Sequence, residues 1–158
     1  MKLKIFRIRQ NAKLPSKKHD TDAGYDLFFS SHGEFPYRSD GEKEDIIIYP
    51  GESAFIPTGI KMEIPEGYAF VIKNKSSIAA KKQLLVGACV IDRLFDGEVF
   101  INLHNVGPVA QRIKPGQKVA QGLLTPIGNP EIVEVLDESE LNVDTKRGDG
   151  CLGSTGEY

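Results

Sequence analysis

Between Arg147 and Gly156 the chain packs four glycines, a guanidinium and the adjacent hydroxyls of Ser154 and Thr155 into ten residues. Glycine lets the backbone take positive φ and come close to a ligand. Free amides, a planar guanidinium and hydroxyls together suit a cluster of anionic oxygens. A flexible Gly/Ser tail has much the same composition, so the chemistry depends on what else the chain carries. The expectation is a mobile arm over 144–158 that folds onto a phosphate.

Four further clusters could do chemistry with it. In the run Gly87 to Val99, apolar Cys89-Val90-Ile91 delivers Asp92, and Gly97 turns the chain onward. A carboxylate fixed at the mouth of a hairpin can serve as a general base, although an isolated turn aspartate is often only solvated. Asp22 and Asp26, four apart, could support a hard cation such as Mg²⁺, which takes few carboxylates and keeps several waters. Lys75-Ser76-Ser77 opens a helical pattern, where a cation, hydroxyls and unpaired amides attract anions. A plain helix cap has the same look. Gln121 closes a turn into a strand at Gly116–Gln121 and offers a side-chain amide.

Rigid elements must hold these groups in place, and the pattern supplies strands. Short apolar stretches bounded by Gly, Pro or Asn recur at Leu3–Ile8, Ile46–Tyr49, Ala54–Ile56, Ile60–Ile64, Tyr68–Ile72, Leu84–Ile91, Glu98–Leu103, Lys118–Leu124 and Glu131–Leu136. Pro65-Glu66-Gly67 reads as a hairpin turn. Many short strands at this spacing predict an all-β barrel or jelly roll. One stretch, Ser76–Gln83, reads as a helix with a serine cap. Glu131–Leu141 has comparable helix propensity, but Ile132, Val133 and Val135 make it ambiguous between helix and strand. The charged segment 32–45, with Gly33, Pro36 and Gly41, reads as an inserted loop or hairpin. The core domain is expected over 1–143, with no second domain.

Bulk properties narrow the partners. The chain has 158 residues, 20 basic against 22 acidic, and a net charge of −2. That balance gives no general attraction to nucleic acid or an anionic membrane. Cys89 and Cys151 form no CxxC pair, and His19, His32 and His104 lie far apart, so neither a disulfide framework nor a histidine metal centre is expected. The N-terminal residues alternate charge and apolarity, unlike a signal peptide or membrane span. A cytoplasmic protein is expected.

In order, DAGYDL, KSSIAAK, GACVIDRLFDGEV, GQKVAQ and RGDGCLGSTG resemble the five motifs of the trimeric deoxyuridine triphosphatase (dUTPase) family. The resemblance implies a distorted jelly-roll (β-clip) subunit, a homotrimer with three shared sites, and hydrolysis of dUTP to dUMP and pyrophosphate with Mg²⁺. Position by position it makes Asp92 the residue that activates water and Gln121 the amide that helps order that water or the α-phosphate. Lys75, Ser76 and Ser77 would cradle phosphate, and Asp26 would hold a water of the Mg²⁺ shell. Val86, Gly87, Val90 and Ile91 would meet the uracil, with Phe95 under the sugar. Arg147, Leu152, Gly153, Ser154 and Thr155 would close over the nucleotide.

Three positions depart from the family pattern. Lys75 stands for an arginine and lacks its planar fork. Phe95 stands for a tyrosine, and a phenyl ring still crowds a 2′-hydroxyl. Leu152 stands for the aromatic that stacks on the base, a contact worth about 1–3 kcal/mol. Two other readings share this fold. A dCTP deaminase needs a glutamate where Asn102 stands, and an amide cannot shuttle the proton. A non-catalytic nucleotide sensor could use the same fold, and a protein partner could dock on 32–45.

Overall fold

The computed structural model describes residues 1–31 and 45–141. It comprises two units, Met1–Gly128 and Asn129–Tyr158. The first is a stack of short antiparallel ladders. Its centre is β6 (Tyr68–Lys73), with the buried side chains of Phe70 and Ile72 on the core side. The strands β1 to β5 before it are Lys4–Arg7, Tyr25–Phe28, Ile46–Ile48, Ser53–Pro57 and Ile60–Glu63. After it come α1 (Ser76–Lys82) and β7 to β11, at Leu84–Val86, Val90–Ile91, Phe100–Asn105, Gln111–Ile113 and Lys118–Pro126.

Among the described residues the strands form four sheets rather than one closed barrel: β2–β11–β6–β8, β4–β9–β7, β1–β5 and β10–β3. The all-β, jelly-roll-like expectation with one short helix holds. Ile48, Ile56, Phe70, Val99, Ile101, Leu103, Ile113 and Val119 are fully buried between the ladders. Removing each such side chain from water is worth about 1.5–3 kcal/mol.

Several local expectations change. Pro65-Glu66-Gly67 is a turn, with Tyr68 N–H donating to Pro65 C=O at 3.2 Å. The strands it joins do not pair, because β5 binds β1 whereas β6 binds β11 and β8. Leu84–Ile91 splits likewise into β7 on β9 and β8 on β6. The helix is capped by Lys75 without a side-chain hydrogen bond, so Ser76 is its first residue and not its cap. Gln83 ends it in the left-handed region, and its N–H donates to the Ala79 carbonyl at 3.1 Å.

In the second unit, residues 129–141, the strand expected over Glu131–Leu136 is absent and a 3₁₀ turn spans Glu138–Leu141. A strand needs a partner ladder, and none of the described strands pairs with that segment. Residues 32–44 and 142–158, which hold most of the expected insertion and the whole expected arm, lie outside the described residues.

Candidate active site

The buried carboxylate of Asp26 organises the site. It sits on β2 with its side chain 10% exposed, and two ammonium groups reach it. Lys75 Nζ lies 2.7 Å from Oδ1, and Lys118 Nζ lies 2.6 Å from Oδ2. Burial pushes the Asp26 carboxyl up. The hydrogen bonds and charges of Lys118 and Lys75 outweigh that and hold it below its ordinary value of 3.8. Lys18, Asp22, Ala23, Gly24, Lys118 and Gln121 join Asp26 and Lys75 around a cavity of about 280 Å³. At its rim Asp22 Oδ2 accepts the backbone N–H groups of Lys18 and His19 at 3.2 and 3.0 Å. The His19 bond leads in lowering the Asp22 carboxyl.

Gln121 stands opposite Asp26 in the β2–β11 ladder. Its Nε2 donates to the Asn74 carbonyl at 2.9 Å. Asn74 also accepts the Val86 N–H on Oδ1 at 2.7 Å, tying β7 to the residue before Lys75. A Cβ at Gly24 would stand 2.7 Å from Gln121 Oε1, so a larger residue there displaces that side chain. A Cβ at Gly87 would likewise displace the Asn102 and His104 side chains. Asn102 is buried, and its Oδ1 accepts the Ala88 N–H at 3.2 Å. Its place is under the Gly87 turn.

Asp92 follows β8 and is exposed. The Phe95 N–H donates to the Asp92 carbonyl at 3.2 Å, so the two share one turn. That loop is anchored at its far end. Glu98 accepts both guanidinium nitrogens of Arg9, at 2.7 and 2.6 Å, and the Gly59 N–H at 2.7 Å.

The structure therefore gathers Asp26, Lys75 and Gln121 at one cavity, and does not bring Asp92 to it within this chain. Ile91 pairs with Phe70, three residues along β6 from Lys73, which is the partner of Gln121. Three strand residues span about 10 Å, and β11 and β8 flank β6 with about 4.8 Å across each ladder. Asp92 continues away from the Lys73 end. Ser76 and Ser77 are exposed on the first turn of α1 beside Lys75. Val86 and Gly87 lie at the end of β7, tied to Asn74 through the Val86 N–H. Val90, Ile91 and Phe95 lie instead on β8 and the turn after it with Asp92. Arg147, Leu152, Gly153, Ser154 and Thr155 lie outside the described residues. Asn74 and Lys118 were missed in the sequence: Asn74 acts through its backbone as much as its side chain, and Lys118 looked like one more strand lysine.

Among the described residues no three His, Cys, Asp or Glu side chains gather to hold a metal ion. Asp26 still keeps acceptor capacity after its two lysines, since a carboxylate offers about four lone-pair sites. This donor set fits a Mg²⁺ that arrives on a polyphosphate and keeps its own waters.

The dUTPase family model matches residues 10–156. The deoxyuridine 5′-triphosphate nucleotidohydrolase of Mycolicibacterium vanbaalenii is 35% identical over 98% of this chain and 94% of its own. That of Clostridium tetani is 38% identical over 98% and 96%. Among solved structures, a Staphylococcus bacteriophage 80alpha dUTPase mutant with dUpNHpp superposes with a TM-score of 0.80 at 26% identity, over 98% of both chains. A mutant dUTPase of phage phi11 of S. aureus, solved for the coordination of a structural Mg(II) ion, gives 0.73 at 26% identity over 88% of this chain and 99% of that one.

Proposed function

We propose that Asp92 is the base with which this chain, which belongs to the dUTPase family, hydrolyses dUTP to dUMP and pyrophosphate. Asp92 takes a proton from a water as that oxygen attacks the α-phosphorus. The bond from the α-phosphorus to the bridging oxygen breaks, and pyrophosphate leaves with the electron pair. Gln121 orders the water or the α-phosphate. Lys75, Ser76 and Ser77 hold the charge that grows on the leaving group, which is where preorganised donors lower a barrier most. The substrate would be Mg·dUTP, with the cation supplying charge neutralisation on the phosphates, and Asp26 would accept a hydrogen bond from a water of its shell.

The observation that carries the reading is the cavity at Asp26, where Lys75 and Gln121 meet in a chain matched by the family over 10–156. The separation of Asp92 from that cavity supports a site shared between copies, with Asp92 of one subunit meeting Gln121 and Lys75 of another in a homotrimer. Uracil lies against Val86, Gly87, Val90 and Ile91. The N–H groups of Val86, Gly87 and Ala88 are already bonded to Asn74 and Asn102, so carbonyls of the turn accept the uracil N3–H. Phe95 crowds out a ribose 2′-hydroxyl. Arg147, Ser154 and Thr155, with Gly153 between them, clamp the γ-phosphate and Leu152 covers the base as the 144–158 arm closes, excluding water.

Asn102 argues against deamination, since its amide is spent as a buried acceptor for Ala88. A cytoplasmic location completes the proposal; among the described residues no helix is long and apolar enough to cross a membrane. The test is pyrophosphate release from dUTP, UTP, dTTP and dCTP in parallel, with Mg²⁺ and with EDTA. Release from dUTP alone, lost with EDTA, is the expected result. Release from UTP at a similar rate would overturn the role of Phe95.

A further inference from the structure

We propose that Lys118 is a second triphosphate-binding lysine, paired with Lys75 across Asp26 and aimed there by a β-bulge. This rests on the dUTP reading above. Lys118 and Gln121 are three apart on β11, a spacing that puts side chains on opposite faces of a regular strand. Here Lys118 pairs with Phe28, Ala120 with Leu27 and Gln121 with Asp26. Two residues of β11 are thus spent against one of β2, and Val119 is the extra one. A bulge re-aims side chains. Phe28 and Asp26 share a face of β2, so their partners Lys118 and Gln121 now share it too.

The result is an ammonium on each oxygen of one carboxylate, at 2.7 and 2.6 Å. Two cations against one anion leave a net positive charge at the Asp26 cluster. Lys118 keeps 42% of its side chain exposed, and both lysines line the cavity beside Gln121. Asp26 holds the two ammonium groups at a fixed separation before any ligand arrives. A polyphosphate, with charged oxygens on successive phosphorus atoms, can accept from both at once.

The experiment compares kcat/KM for Mg·dUTP with the inhibition constant of deoxyuridine, which carries no phosphate. Lys118→Met should lower kcat/KM about tenfold or more and leave deoxyuridine inhibition unchanged, while Lys118→Arg stays within about threefold of the unmodified enzyme. If Lys118→Met melts below the assay temperature, Lys118→Gln takes its place. A kcat/KM within about twofold for the uncharged variant overturns the inference. Weakening of deoxyuridine by the same factor also overturns it, since that is what a merely structural lysine would do. An unmodified enzyme that releases no pyrophosphate from dUTP would instead fell the underlying reading, and this inference with it.

Discussion

Gln121 donates from Nε2 to the main-chain carbonyl of Asn74 at 2.9 Å, and Asn74 in turn accepts the Val86 N–H at 2.7 Å. One asparagine therefore joins the strand that carries Gln121 to the strand that leads into the Gly87 turn. Its carbonyl fixes the amide, and its side chain fixes β7.

Asn74→Ala should keep the fold and the Gln121 bond to the main chain, and loosen β7 where Val86 is tied to residue 74. Losing a partner of this kind is worth about 1–1.5 kcal/mol, close to a tenfold effect. Steady-state kinetics should show kcat lower by up to about that factor, and the melting temperature should fall by about 2–5 °C. Unchanged kcat would mean that the Val86 tether plays no part in catalysis.

A shared site predicts rescue between two inactive proteins. Asp92→Asn and Gln121→Ala should each be nearly inactive alone. Refolded together, mixed trimers would contain sites with both intact residues, about a quarter of the total for random assembly with one residue from each neighbour. Pyrophosphate release from the mixture, absent from either variant, is the expected result. A mixture as inactive as its parts would place Asp92 and Gln121 of one chain in one site.

Much of this arrangement was legible in the sequence, and the limits have physical causes. The short helix and most strands follow from alternation and turn residues, and motif order marks Asp26, Lys75 and Gln121 as site residues. The strand β2 was hidden because its centre is a buried charge, Asp26, rather than an apolar residue. Its solvation is replaced by Lys75 and Lys118, partners 49 and 92 residues away by subtraction of residue numbers. Strand partners were equally hidden: adjacent strands joined by Pro65-Glu66-Gly67 look like a hairpin, yet each finds its ladder elsewhere. Glu131–Leu136 shows the converse, a β-branched run with no partner strand among the described residues.

Acid stability should depend on Asp26. Its folded-state pKa lies below the ordinary 3.8, so on acidification the unfolded chain takes up the proton first. The stabilisation it gives is complete above the unfolded value and is lost as pH falls through the lower folded one. Urea midpoints for Asp26→Asn should lie below those of the unmodified protein at about pH 7, and the gap should shrink towards about pH 3. A gap of constant size across that range would show that the lysine pairing adds no stability.

The most direct test of the account is the substitution Asp92→Asn, which preserves shape and removes basicity. Turnover of Mg·dUTP should fall by about a thousandfold or more, within the range for loss of a general base. Binding of dUpNHpp, measured by titration calorimetry, should stay within about threefold of the unmodified protein. Turnover retained at the original rate, with binding intact, would contradict Asp92 as the base and send the search for it elsewhere in the site.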